Sequence, residues 1–331
     1  MASPNSSFTE VITTTLQGYS KQLADNVTSH NALLNHIDKK GNKMPATGRT
    51  IVQELEYAEN ATAKWYSGYE TLDVSPSEIF TAAEFYYKQL NGNVVISGLE
   101  QVQNSGKEAV HNLLKSRIKN LEKTLKNTVA TALYADGTGT DGKELGGLQS
   151  LVADAGAGTV GGINSSTFSF WASNSQKADD PIQGGGAVTV SKSTMTSLMQ
   201  PLWLEQSRGN DKVDLIVASN DYYTFYWNGL SDLQRYESNH TEATDGFGSL
   251  KFVTADVVFD GGTSFGGGIA SSHMYFLNTD YLKLCVHKDA NMTEVAEQRA
   301  INQDAVIIPI IWQGNMVCSN RKLQGVITAS G

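Results

Sequence analysis

The amino-acid sequence predicts an α+β protein in which one long helix separates an extended region from a mixed α/β lobe. Three patterns support this class: an apolar stripe between Ser105 and Asp136, alternating aromatic and polar residues over 50–97, and a strand followed by a helix after Val213. The chain has 331 residues, 40% of them hydrophobic and 18% charged. This composition is typical of a folded protein with one large domain or two coupled lobes.

The N-terminal region carries apolar residues at spacings of three and four over residues 8–38, which predicts an amphipathic helix. Lys39, Lys40 and Gly41 follow, and such residues commonly end a helix. Two interpretations remain open: a helix in the core of the chain, or an arm that packs on a neighbouring subunit.

Residues 50–97 are predicted to be extended, because aromatic and β-branched residues alternate with polar ones. Asn91-Gly92 has the sequence of a hairpin turn. The segment is therefore predicted to form a long two-stranded projection. An isolated ribbon is marginally stable, so its apolar side needs another surface, which a second subunit could supply.

The long helix is predicted between Ser105 and Asp136. Ser105 and Glu108 have the spacing of a capping box, lysines oppose the apolar stripe, and Gly137 provides the stop. At about 1.5 Å per residue, the helix would be roughly 45 Å long, far beyond the usual helix of about 11 residues. We expect it to act as a rigid strut.

The rest of the chain begins with a glycine-rich turn over 137–162 and continues as an α/β lobe. In the lobe, Ser219 is the expected N-cap of a helix that runs through Trp227. The other predicted elements are a helix over 193–207 and strands over 213–217, 250–259, 274–277, 281–286 and 305–318, the last with a turn at Gln313-Gly314-Asn315.

Composition excludes several classes of function. The formal charge is −9, from 25 basic and 34 acidic residues without a basic cluster, which disfavours tight nucleic-acid binding. No apolar run approaches the roughly 20 residues of a membrane span, so no membrane partner is expected. The N-terminus lacks the pattern of a signal peptide, which predicts that the chain stays in the cytoplasm where it is made. Cys285 and Cys318 lack metal-site spacing and are expected to be reduced core residues.

Sequence patterns that resemble catalytic motifs are incomplete. The stretch from Gly137 to Glu144 fits a phosphate-binding loop and also GxGxxG spacing, but it follows a helix and ends in Glu144 instead of a magnesium-binding hydroxyl. Gly262–Gly266 fits a nucleophile elbow around Ser264, yet two further glycines follow where a helix should begin. The histidines are scattered without metal-ligand spacing. We expect no enzyme activity, no cofactor and no metal.

The order of the predicted elements and several short sequence segments resemble those of the major capsid proteins of tailed double-stranded-DNA bacteriophages, which share the Hong Kong 97 fold. The resemblance covers nearly the whole chain. These segments are Gly48–Val52, Trp65–Glu70, Asn104–Ala109, Tyr134–Gly139, Gly146–Leu148 and Asn315–Arg321.

This resemblance implies five regions. They are an N-terminal arm over 1–50, an extended loop over 51–102, a peripheral domain over 103–212 with the spine helix at 105–136, an axial α/β domain over 213–289, and return strands to the peripheral domain over 290–331. The extended loop would lie over a neighbouring subunit, and Trp65, Tyr66, Tyr69 and Lys88 are the expected inter-subunit contacts.

The implied function is that of a non-catalytic subunit that self-assembles as pentamers and hexamers into an icosahedral phage head. The head would form through a procapsid in the host bacterial cytoplasm and enclose the DNA genome, which lies near the virion shell without tight binding. Expected partners are a separate scaffolding protein, because only residues 1–50 precede the loop, a portal and, as a further candidate, a decoration protein. Cross-linking between subunits is not predicted.

Two alternatives remain at this stage. One is the shell of an encapsulin-like bacterial compartment, which shares the fold and holds cargo enzymes. The other is an α/β hydrolase that uses Ser264, although His273 and His287 downstream do not complete the motif without a positioned acid.

Overall fold

The computed structural model describes residues 32–103, 113–232, 250–261, 268–299 and 303–329. Its helices, in chain order, are α1 Ala32–Lys40, α2 Gly98–Gln103, α3 Leu113–Ala132, α4 Leu148–Leu151, α5 Met195–Glu205 and α6 Asn220–Asp232. The strands are β1 Lys43–Ala46, β2 Thr50–Glu56, β3 Phe80–Tyr86, β4 Lys88–Ser97, β5 Thr159–Val160, β6 Ile163–Asn164, β7 Asn174–Lys177, β8 Leu215–Ala218, β9 Leu250–Phe252, β10 Ala255–Phe259, β11 His273–Leu277, β12 Leu282–Glu294, β13 Gln298–Arg299, β14 Ala305–Cys318 and β15 Gly325–Thr328.

The first sheet is built around the long strand β14. On one side β14 pairs antiparallel with β4, and on the other it pairs with β12 and β13. Strand β1 adds parallel to β12. Helix α3 lies against β4, so this half of the molecule is a sheet with one long helix across it.

The second sheet has the strand order β7-β15-β11-β8-β10-β9. Its central strand β8 is apolar throughout because both faces are buried. Ile216 and Ala218 belong to the core that includes α5 and α6, whereas Leu215 and Val217 belong to the core that includes α1 and the end of α3. Strand β8 therefore lies between the two hydrophobic cores and contributes one of its faces to each.

The prediction of a hairpin turn at Asn91-Gly92 was wrong. Both residues lie inside β4, paired with Ile311 and Ile310 of β14. A Cβ atom on Gly92 would lie 2.5 Å from Leu121 Cδ1. The glycine thus gives α3 room to approach the strand, which is a packing role instead of a turn.

The predicted turn at Gln313-Gly314-Asn315 was also wrong, because β14 runs through it without interruption. A Cβ atom on Gly314 would lie 2.7 Å from both the Cys285 carbonyl oxygen and Trp312 Cζ2. Close packing across the sheet therefore accounts for this glycine.

Residues 250–259, predicted to form one strand, form two. Val253 has φ +55° and lies in the turn between the antiparallel strands β9 and β10.

Helix α3 falls within the predicted 105–136 helix and ends at Ala132, four residues earlier than expected. The predicted cap at Ser105 lies outside the described residues. The carbonyl oxygens of Leu133 and Ala135 accept hydrogen bonds from Leu148 N (2.7 Å) and Gly147 N (3.0 Å). The end of the helix is therefore closed by a returning segment of backbone.

The stretch from Gly137 to Glu144 is a turn, as expected, and it is partly left-handed. Thr140, Asp141 and Gly142 have φ values of +50°, +58° and +74°. Thr140 Oγ1 donates to Glu144 Oε1 at 2.8 Å, and Lys88 Nζ donates to the Gly142 carbonyl oxygen. No strand leads into this turn, which removes the context that a phosphate-binding loop requires.

The predicted regional boundaries at 212 and 289 do not coincide with the division between the sheets. Strand β7 and helix α5, from the predicted peripheral region, join the second sheet and its core, as does β15 from the predicted return strands. Strand β12 belongs to the first sheet although most of it falls in the predicted axial region. The five-region division stays a prediction for how the subunit is used.

Cys285 and Cys318 are both buried and not bonded to each other, in agreement with their predicted role in the core. Burial raises the pKa of both thiols, that of Cys318 to about 12. Among the described helices, none combines the length and hydrophobicity needed to cross a bilayer.

Candidate assembly interface

The predicted projection is a two-stranded ribbon of β2 and β3 that ends in a long loop over 57–79. The strands pair from Thr50 opposite Tyr86 to Glu56 opposite Phe80. One face of the ribbon is buried and carries Ile51, Leu55, Ala83 and Phe85, whereas the opposite face is exposed. Apolar and polar residues alternate along both strands, so one face of the ribbon packs on the body of the chain and the other does not.

The base of the ribbon is fixed to the body at Gly161, in the turn between β5 and β6. Glu84 N donates to the Gly161 carbonyl oxygen at 3.0 Å. Gly161 has φ +59°, and a Cβ atom on it would lie 2.7 Å from Ala83 Cβ. Asn315 adds a second anchor, since its Nδ2 donates to the Tyr86 carbonyl oxygen at 2.9 Å.

The loop carries exposed aromatic side chains at its tip. Every residue over 63–76 is exposed; Trp65 and Tyr69 have relative exposures of 101% and 107%, and Val74 has 90%. Apolar side chains in this number on one surface loop are typical of a site where another protein binds. The structure thus places Trp65, Tyr66 and Tyr69 on the same exposed loop.

Lys88, the fourth predicted contact, lies apart from that loop. It begins β4, is half-buried, and holds the left-handed turn through its bond to the Gly142 carbonyl oxygen. A structural role within the chain is sufficient to explain its position. Its contact with a neighbouring subunit stays a prediction.

Sequence reasoning missed a cleft of about 600 Å³ between α3, the start of β4 and the left-handed turn. Its lining is mainly apolar and includes Leu90, Val129, Ala132, Leu145 and Trp312. The stripe on α3 was visible in the sequence, but it meets Leu90 and Trp312 only in the folded chain, since these two residues belong to the paired strands β4 and β14. No local pattern could have shown it.

Opposite charges accumulate on the projection and on α3. Residues 50–86 contain seven carboxylates and one lysine, a net charge of −6, whereas residues 113–132 contain five basic residues and one acid, a net charge of +4. Lys115, Lys119 and Lys126 are exposed on the helix. The two surfaces are therefore electrostatically complementary.

An ionic cluster around Asp214 joins α1 to the second half of the molecule. Its carboxylate accepts hydrogen bonds from Lys40 Nζ (2.6 Å) and Thr279 N (2.8 Å), and His36 Nε2 lies 3.8 Å away. Burial alone would raise the pKa of Asp214, but the nearby His36 and the hydrogen bonds from Lys40 and Thr279 lower it well below its ordinary value. The charged carboxylate is thus the form that the fold stabilises.

We expect Asp214→Asn to reduce the free energy of unfolding at pH 7 by about 1–3 kcal/mol, since charge-assisted hydrogen bonds are lost. Because the folded-state pKa lies below the unfolded value near 4, this contribution is full above about pH 4 and is lost as the pH falls further. Urea unfolding at pH 7 and pH 3 measures it. Asp280→Asn is the control, because Asp280 also pairs with Lys40 (2.7 Å) but its side chain is 69% exposed. An equal loss of stability in both variants would contradict the assignment of this stabilisation to the charged Asp214 carboxylate.

Two further polar contacts are buried. Asp260 Oδ2 accepts from Tyr134 Oη at 2.6 Å and from Leu33 N at 3.4 Å. Arg321 donates to the Leu151 and Trp171 carbonyl oxygens. Both tie together segments that are remote in sequence.

The structure describes the candidate catalytic residues only in part. Ser264 lies outside the described residues. His273 Nε2 lies 3.2 Å from Asp154 Oδ1, and His287 Nδ1 accepts from Asp289 N. Within the described ranges, no three His, Cys, Asp or Glu side chains are grouped as a metal site would require.

Comparison with known structures gives full-length matches. The capsid asymmetric unit of cyanophage A-1(L) matches with a TM-score of 0.70 at 14% identity, covering 94% of this chain and 96% of that one. The chain has the Hong Kong 97 fold. No protein-family model and no curated protein matches the sequence.

The same Hong Kong 97 fold relates the chain to other capsids. The capsid of Myoviridae phage XM1 matches with a TM-score of 0.56 at 13% identity, over 95% of this chain and 96% of that one. The capsid of a native GTA particle matches with a TM-score of 0.59 at 9% identity, over 96% of each chain. The predicted α+β class and Hong Kong 97 fold are thereby confirmed.

Proposed function

We propose that the chain is a structural subunit that self-assembles as pentamers and hexamers into an icosahedral phage head enclosing the DNA genome. The observation that carries this proposal is the projection: a ribbon anchored at its base that presents fully exposed Trp65 and Tyr69 to another molecule. Its occurrence on a Hong Kong 97 fold, whose solved relatives include phage capsids, supports a second copy of the chain as that molecule.

The subunit is non-catalytic in this proposal and resides in the virion after assembly in the host cytoplasm. A separate scaffolding protein, a portal and a decoration protein are its proposed partners. The formal charge of −9 supports a shell that encloses DNA without binding it tightly, because phosphate repels a net acidic surface.

The test is the assembly of a Trp65→Ala/Tyr69→Ala variant. Loss of two aromatic anchors, each expected to contribute about 2 kcal/mol, removes about 4 kcal/mol from each contact and should raise the concentration needed for assembly about a thousandfold. The unfolding midpoint of the isolated chain should stay unchanged, because both side chains are exposed. Thr71→Ala, exposed in the same loop, is the matched control and should assemble like the wild type.

Electron microscopy and light scattering of chains expressed with their neighbouring genes distinguish the outcomes. Particles that package DNA support the proposal. Particles that load a cargo enzyme indicate the encapsulin-like compartment, and a chain that stays monomeric contradicts both. An esterase activity that is lost on Ser264→Ala would contradict the non-catalytic role.

A further inference from the structure

The ribbon of β2 and β3 becomes the long loop at Tyr57 and Ile79. Tyr57 N donates to the Ile79 carbonyl oxygen at 3.0 Å, which adds one pair of residues to the ribbon. Beyond this pair the chain continues to the exposed aromatic residues Trp65 and Tyr69. The position of these two side chains therefore depends on where the end of the ribbon is held.

The Tyr57 side chain packs on Phe170, which belongs to the body of the chain. The two ring centroids are 5.7 Å apart, and the ring planes are tilted by 37°. Aromatic pairs with centroids about 4.5–7 Å apart attract each other beyond the effect of apolar burial. Phe170 is partly buried against the core that includes α1 and the end of α3, and it lies in a single turn of 3₁₀ helix, Ser169–Trp171. This contact attaches the end of the ribbon to a segment that is remote in sequence.

The turn that carries Phe170 is fixed by its neighbour Trp171, which is 1% exposed. Trp171 Nε1 donates to the Val160 carbonyl oxygen at 2.9 Å, and the Trp171 carbonyl oxygen accepts from Arg321 Nη1 at 2.8 Å. The ring centroids of Phe170 and Trp171 are 6.1 Å apart. Phe170 therefore offers Tyr57 a surface that is already rigid in the isolated subunit.

Other packing beneath this end of the ribbon is incomplete. Among the described residues, Leu55 and Phe170 line a cleft of about 440 Å³ together with further residues of the body. The opposite end of the ribbon is anchored at Gly161 and Asn315, about 20 Å away at roughly 3.3 Å per residue of β3. The contact between Tyr57 and Phe170 is therefore a second fixed point, at the end from which the loop departs.

We propose that Phe170 is a positioning residue for assembly, because it holds Tyr57 and thereby fixes the origin of the aromatic loop. The inference rests on the proposed function, in which this loop makes contacts between copies. Ser77 Oγ donates to Asn60 Oδ1 at 3.3 Å, so the two sides of the loop stay joined beyond Tyr57. A loop with a fixed origin loses less conformational entropy on binding than a loop whose origin moves.

Loss of the Phe170 ring should weaken assembly although the aromatic residues of the loop remain in place. The cost of ordering two additional side chains, Trp65 and Tyr69, corresponds to about a tenfold increase in the concentration needed for assembly. Removal of these aromatic anchors themselves should have a larger effect, about a thousandfold. A positioning residue therefore differs from a contact residue in the size of its effect and in its dependence on Tyr57.

Four variants separate the position of the loop from the stability of the subunit. Phe170→Ala removes the ring, and Phe170→Tyr is the conservative variant that keeps it. Phe168→Ala is the matched control: Phe168 is 48% exposed and contacts the Phe170 ring (6.4 Å), but among the described residues it forms no ring pair with Tyr57. Asp214→Asn lowers the stability of the chain in the ionic cluster with Lys40, away from the ribbon.

Pulsed electron paramagnetic resonance on the dilute, unassembled chain measures the distance between spin labels at Thr71→Cys in the loop and Asn120→Cys on α3, both exposed positions. The distance distribution should broaden in Phe170→Ala and keep the wild-type width in the other three variants. Light scattering should show the tenfold increase in assembly concentration for Phe170→Ala alone among the four. Tyr57→Ala should reproduce both effects, and its addition to Phe170→Ala should have no further effect.

A distance distribution of Phe170→Ala equal to that of the wild type would overturn the inference, as would the same increase in assembly concentration for Asp214→Asn. Additive losses in the double variant would also overturn it, because Tyr57 and Phe170 would then act independently. If Phe170→Ala does not fold, Tyr57→Ala carries the same test. Failure of the wild type to assemble would instead overturn the proposed function, whereas the distances in the unassembled chain would still decide whether Phe170 positions the loop.

Discussion

Arg321→Ala should reduce the free energy of unfolding by about 3–5 kcal/mol, the largest single-residue effect that we expect. Arg321 is fully buried. Its Nε donates to the Leu151 carbonyl oxygen at 2.7 Å, and its Nη1 donates to the Trp171 carbonyl oxygen at 2.8 Å. Its Cζ lies 5.9 Å from the centre of the Trp171 ring. Alanine would leave a cavity and two buried carbonyl groups without donors.

Urea unfolding followed by tryptophan fluorescence measures this loss. Lys322→Ala, at the next and exposed position, is the control and should change stability by less than about 0.5 kcal/mol. Arg321→Met keeps most of the volume but donates no hydrogen bonds, so its loss should be intermediate. Equal stability of Arg321→Met and the wild type would show that packing alone accounts for the residue.

Asp260→Ala should cost about 2–4 kcal/mol, because it leaves the donors of Tyr134 and Leu33 buried without an acceptor. Tyr134→Phe should cost less, about 1–2 kcal/mol, since only one hydrogen bond is lost. Burial and the neighbouring Asp260 charge raise the pKa of Tyr134 well above its ordinary value. The hydroxyl therefore stays protonated and remains a donor.

A double-mutant cycle over Asp260→Ala and Tyr134→Phe separates the contact from the side effects of each change. The coupling energy should reach about 1–3 kcal/mol, as for residues in one hydrogen-bond network. Asp260→Asn, which keeps an acceptor oxygen, should lose less than Asp260→Ala. Additive losses in the cycle would show that the two side chains act independently.

The local elements could be predicted from the sequence because each has its own periodic signal. The apolar stripe between Ser105 and Asp136 predicted α3, and the apolar run from Leu215 to Val217 predicted β8. Ser219 lies directly before α6, as expected of a helix start. These signals depend only on neighbours within one or two turns of chain.

The two misplaced turns show where such signals fail. Asn91-Gly92 and Gly314-Asn315 have the composition of turns, but the space that each glycine provides is used by Leu121 and by Trp312 with Cys285. Tertiary packing therefore determined the backbone at both sites. A single sequence does not distinguish a glycine that turns the chain from one that admits a neighbour.

The aromatic loop of the candidate interface could be predicted from the sequence, whereas the cleft beside α3 could not. The aromatic residues of the loop form one contiguous segment, Trp65 to Tyr69, which a single sequence shows directly. The cleft is assembled from three separate segments, so its shape exists only in the folded chain. Lys88 was selected because it lies within the predicted extended loop over 51–102, yet in space it supports the turn at Gly142.

Strands β14 and β15 have a consequence for the timing of biosynthesis. β14 is the strand to which β4, β12 and β13 all pair, and β15 lies between β7 and β11. Neither sheet can therefore reach its final order until residues 305–328 have left the ribosome. A nascent chain would expose its aromatic loop over 57–79 while β4 still lacks its partner strand β14. Under the proposed function, a subunit would thus become competent to assemble only when its polypeptide is nearly complete.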